Sequence, residues 1–128
     1  MSEEKALEQS LAVIEALYRQ TRERKLQWNE TSNPRLFTTE FGDFTIESRA
    51  IPDSDYSDKP DYEIDIINTT TGRTIETISN ISLRPVMDRT TKEGLNPYSL
   101  LEQIYSTARR QALKVDDALE SLLHSLSS

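Results

Sequence analysis

The stretch Phe37-Thr38-Thr39-Glu40-Phe41-Gly42-Asp43-Phe44-Thr45-Ile46-Glu47-Ser48 decides the fold. Apolar and polar side chains alternate on both sides of Gly42-Asp43, and successive side chains of a strand point to opposite faces. Phe37, Thr39 and Phe41 therefore share one face, and Thr38 and Glu40 the other. A Gly-X pair between two such runs is the signal for a two-residue hairpin of the II′ kind. The returning strand puts Phe44, Ile46 and Ser48 on one face and Thr45, Glu47 and Arg49 on the other.

The period of two persists outward from this hairpin. Upstream, Leu26 and Trp28 alternate with Gln27 and Asn29, and Asn33-Pro34 marks a turn. Downstream, a polar loop over 52–60 leads to Tyr62, Ile64 and Ile66, which alternate with Glu63 and Asp65. Thr69-Thr70-Thr71-Gly72 reads as a second hairpin loop, with Gly72 supplying the left-handed residue. The strand after it sets Ile75 and Thr77 against Thr74 and Glu76, with a bulge or strand end at Ile78. Residues 25–79 thus form an antiparallel meander of four to five strands. One face is apolar (Trp28, Phe37, Phe41, Phe44, Ile46, Ile64, Ile66). The other carries Glu40, Glu47, Glu63, Asp65 and Glu76.

Helical periods flank the meander. Over 4–24, Leu7, Leu11, Ile14, Tyr18 and Thr21 step by four and three, with early acids and late bases that suit the helix dipole. Residues 80–96 form a long, irregular loop with room for mobility and for a helical turn at 81–87. Asn96-Pro97 then opens the region 97–126 as cap and first helical residue. Leu101, Tyr105, Ala108, Ala112, Val115, Leu119, Leu122 and Leu126 make one heptad seam. Either one long helix or two short ones fit; Asp116-Asp117 favours a break near Lys114, because paired Asp has poor mid-helix propensity. The economical fold is α+β: a two-layer sandwich with the N-terminal and C-terminal helices packed on one face of the meander, all in one domain.

Composition bounds the function. The 128 residues carry a net charge of −7, which repels phosphate backbones and disfavours nucleic acid as a partner. Cysteine is absent, removing disulfides, thiol catalysis and thiolate metal sites. The N-terminus lacks the basic start and apolar run of an export signal, and no run is long enough for a membrane span. These features fit a cytoplasmic chain.

Motifs for known chemistry are thin. His124 has no evident nucleophile or carboxylate beside it. The run Asp53-Ser54-Asp55-Tyr56-Ser57-Asp58 suggests a calcium loop, but Asp58 stands where glycine is needed and Ile64 where the bidentate Glu belongs. The three glycines are too scattered to cradle a phosphate. No cofactor or metal is expected. Two basic groups, Arg19/Arg22/Arg24/Lys25 and Arg109/Arg110/Lys114, serve the helix dipoles, or form one anion-binding patch if the helices lie side by side.

The segments Trp28-x-Glu30-Thr31, Phe37-x-Thr39-x-Phe41-Gly42-x-Phe44-x-Ile46-Glu47, Tyr62-x-Ile64-x-Ile66 and Ala108-Arg109-Arg110-Gln111-Ala112-Leu113 resemble small uncharacterised bacterial proteins with a helix–β-meander–helix layout. The likeness implies a bacterial origin and that layout, and brings no activity or site residue.

The reading that fits is a non-enzymatic acidic module that binds or regulates another protein with a basic surface, in the manner of an antitoxin or immunity protein. Its contact residues would be Glu40, Glu47, Glu63, Asp65 and Glu76 of the sheet with Asp53, Asp55 and Asp58 of the loop. Two alternatives stay open. One is a small acidic secretion-type chaperone, dimeric through the C-terminal seam. The other is a hydrolase using sheet carboxylates.

Overall fold

In the computed structural model, which describes residues 2–52 and 58–128, Phe41 pairs with Phe44 across a two-residue loop. Gly42 takes φ +61° and Asp43 a negative φ, as a II′ turn requires. This loop joins β2 (Leu36–Phe41) to β3 (Phe44–Ile51). The loop 69–73 joins β4 (Asp61–Asn68) to β5 (Thr74–Ser79), with Gly72 at φ +72°. A two-residue β1 (Asn29–Glu30) completes one antiparallel sheet in the order β1-β2-β3-β4-β5. The fold is the α+β meander that the alternation predicts.

Among the described residues the α-helices are α1 (Ser2–Arg22), α2 (Pro97–Ala112) and α3 (Val115–Leu126). The predicted stripe of α1 faces inward at Leu11, Ile14 and Thr21, joined by Leu17. Asn96 caps α2 by accepting from the Ser99 amide at 2.8 Å, with Pro97 at the first position. α2 lies over the sheet, and α1 packs beside it. The core is centred on Phe37, Ile64, Leu83, Leu100, Leu101 and Ile104, each essentially excluded from water. Tyr105 stacks edge-on against Phe37 at 5.6 Å, and Tyr62 meets Tyr98 and Tyr105 at 5.6 and 5.5 Å. Where α1 ends, the Trp28 indole donates to Thr21 Oγ1 at 3.1 Å, and Gln111 donates to the Thr21 carbonyl at 3.2 Å. One buried threonine thereby ties α1 to the chain entering β1 and to α2.

Two expectations need correction. The irregularity in β5 falls at Ile75, not Ile78. Ile66 pairs with Glu76 and Ile67 with Thr74, so Ile75 is the extra residue of a bulge and Ile78 returns to the core. Phe41 and Phe44 are exposed, because the helical layer stops short of the hairpin end of the sheet. The segment 80–96 is a loop tied to the body of the fold. It buries Leu83 and Val86 around a 3₁₀ turn at Arg84–Val86 and lies along α1 through Arg89–Glu8, Arg19–Glu93 and the Lys92 amide on Glu15. The break favoured near Lys114 is present, with Lys114 at φ +53° between α2 and α3. Leu101 and Ala108 are buried before the break, whereas Leu119, Leu122 and Leu126 after it are exposed.

Candidate functional site

Strand register decides where the predicted contact acids lie. Thr38, Glu47, Asp65 and Thr77 form one rung across the sheet, and Arg49 pairs with Glu63 on the next. Glu47, Glu63 and Asp65 therefore share the outer face, and Glu40 joins them opposite Thr45. Glu76 does not. The bulge turns it to the rung of Ile66, on the helix-bearing face, where it stays exposed at the β5 edge. Asp58 is exposed, and Asp53 and Asp55 lie outside the described residues.

The outer-face acids are partly engaged within the protein. Arg49 sits between Glu63 (4.0 Å) and Asp65 (3.6 Å), and Asp65 also accepts from the Thr77 hydroxyl at 2.6 Å. Arg49 offsets part of the negative charge of this face. Among the described residues, no three His, Cys, Asp or Glu side chains gather closely enough to hold a metal ion.

The second surface is α3. None of its twelve residues is buried, and Leu119, Leu122, Leu123 and Leu126 are 47–72 % exposed. Its acids, Asp116, Asp117 and Glu120, stand toward the N-terminal end, and its sequence contains no Lys or Arg. His124 is exposed on the last turn.

An apolar groove of about 440 Å³ opens between α1 and the β2–β3 hairpin, lined chiefly by Val13, Ala16, Leu17, Phe41, Phe44 and Ile66. The sequence reading missed it by assigning both phenylalanines to the core. The detectable signal was Val13 and Ala16, apolar residues just off the α1 stripe.

The two basic groups do converge. Arg22 and Arg24 from the end of α1 meet Arg110 and Lys114 from the end of α2 around a cavity of about 640 Å³ floored by Leu26 and Trp28, with Asp116 and Asp117 at its rim. Arg110 reaches Asp116 at 2.5 Å, Arg24 reaches it at 4.0 Å, and Arg22 lies over the Tyr18 ring at 5.5 Å.

Burial governs the tyrosines where α2 meets the sheet. It pushes the Tyr62 hydroxyl up to about 12, helped by Tyr98 and Glu102, and moves Tyr98 and Tyr105 in the same direction. Tyr98 donates to the Pro60 carbonyl at 2.6 Å, a structural bond joining α2 to the loop before β4.

Among the described residues, no helix is long and apolar enough to cross a membrane. No protein-family model, curated protein or solved structure matches the chain.

Proposed function

We propose that this chain is a non-enzymatic, cytoplasmic module that binds another protein, and that α3 is the element it offers. The observation that carries this reading is a twelve-residue amphipathic helix whose whole leucine face meets water. Contiguous apolar surface of this kind marks an interaction site. An isolated helix of this length is marginal in water, so a bound state that buries one face would stabilise it.

Charge selects the class of partner. Three acids and no Lys or Arg accompany the leucines, the reverse of a helix made for an anionic lipid surface. The complementary site is an apolar groove on another protein, rimmed by Lys or Arg. The outer-face acids Glu40, Glu47, Glu63 and Asp65 extend the same sign and favour encounter with such a surface. The alternative reading, a dimeric acidic chaperone, draws on the same leucines and on the α1–hairpin groove.

Affinity capture with identified partners tests the proposal. Leu122→Asp with Leu126→Asp removes the apolar face at exposed positions, so the thermal midpoint stays put while a basic-rimmed partner is lost. Retention of every partner by the double variant refutes the reading. Sedimentation of the wild type separates the alternatives: a monomer at micromolar concentration rejects the dimeric chaperone.

A further inference from the structure

We propose that the basic cavity where the ends of α1 and α2 meet is a binding site for a small phosphate-bearing compound, held by Arg22, Arg24, Arg110 and Lys114. Four basic side chains face two acidic ones there, in a chain whose net charge is −7. The cavity's volume of about 640 Å³ lies within the range of small-molecule sites.

Compensation of helix dipoles accounts for Arg19, Arg22, Arg109 and Arg110, which occupy the last turns. It accounts less well for Arg24 and Lys114, which lie past the helix ends. Among the described residues these are the only non-glycine residues with positive φ, at +60° and +53°. Arg24 closes α1 as the left-handed residue of a Schellman turn: Lys25 bonds back to Gln20 and Arg24 to Thr21. Glycine is the usual occupant of that position, because a Cβ is strained there. The chain places a long cationic side chain at both such sites, and both line one cavity. Strained residues held at a shared concavity are a mark of function.

Asp116 shows where an oxyanion sits. Its carboxylate lies between the Arg110 and Arg24 guanidinium groups. All three side chains are well exposed, so these pairs are weak and exchangeable. A phosphate group entering between the two guanidinium groups takes the place of that carboxylate, and a guanidinium fork can pair with two phosphate oxygens at once. Lys114 and Arg22 supply further positive charge, and Gln27, Asn29 and Thr107 supply polar lining.

Inorganic pyrophosphate is the probe, titrated into the full chain at physiological salt. Trp28 is the only tryptophan and lines the cavity, so its fluorescence reports occupancy alongside calorimetric heat. The expected result is saturable one-to-one binding. Arg22→Gln with Lys114→Gly weakens it about tenfold or more without lowering the thermal midpoint. Asp116→Asn tightens it by freeing the two guanidinium groups, and Arg73→Gln, outside the cavity lining, leaves it unchanged. The assignment is overturned by no saturable response at millimolar pyrophosphate, by equal affinity in the Arg22/Lys114 double variant, or by unchanged or weaker binding in Asp116→Asn. Because α3 leucines take no part, failure here leaves the protein-docking proposal standing, and the reverse also holds.

Discussion

α2 and α3 carry one continuous heptad rhythm and are separated by only Leu113 and Lys114, yet their apolar faces have opposite fates. In α2, Leu100, Leu101, Ile104 and Ala108 are sealed against the sheet and α1. In α3 nothing is buried. The difference lies in what each helix faces, since the residue types are alike. Periodicity tells which side of a helix is apolar; a surface opposite must exist before that side contributes to stability.

The largest expected effect sets one helix against the other. Ile104→Ala should cost about 2–5 kcal/mol in urea unfolding, since a fully buried side chain leaves both lost transfer energy and a cavity. An Ile104→Ala variant as stable as wild type would break the contrast.

Alkaline pH probes the same buried face. The Tyr62 hydroxyl titrates near 12 in the folded chain and near 10.0 when exposed, so between those values the folded form holds the extra proton. Stability is therefore expected to fall as pH rises from about 10 to about 12, with Tyr98 and Tyr105 adding in the same sense. Chemical unfolding across that range, compared with a Tyr62→Phe variant, checks it: the variant should lose part of the pH slope.

A smaller gain is expected at the boundary between the helices. Lys114→Gly relieves a left-handed lysine and should raise stability by about 1 kcal/mol, measured by thermal unfolding. The smallest effect belongs to α3. Leu122→Ala should change stability by no more than about 0.5 kcal/mol, because its side chain is already in water. A loss as large as that of Ile104→Ala would mean that α3 packs in solution.

The sequence carried the fold wherever a local rule was sufficient. Gly42-Asp43 and Gly72 marked both hairpins, because a positive φ at a tight turn selects glycine. Asn96-Pro97 marked the start of α2 for an equally local reason. What depended on distant partners was not legible. The bulge at Ile75 arises from the register of β5 on β4, and it moved Glu76 away from the other acids. Phe41 and Phe44 alternate as core residues do, but their exposure follows from how far the helical layer reaches. Arg22 and Arg24 are far from Arg110 and Lys114 along the chain, and only tertiary packing brings them to one cavity. The acidic run at 53–58 promised a contact surface, of which the structure describes Asp58 alone.

The order of the strands has a consequence for how the molecule comes into being. Each strand bonds to the one made just before it, so every ladder closes over a short piece of chain. Their cover is different: α1 must meet α2, and the whole meander lies between them along the chain. A growing chain thus has its whole meander available while Phe37, Ile46 and Ile64 still lack a lid. Arrival of residues 97–112 is the event that turns a wet ribbon into a protected interior.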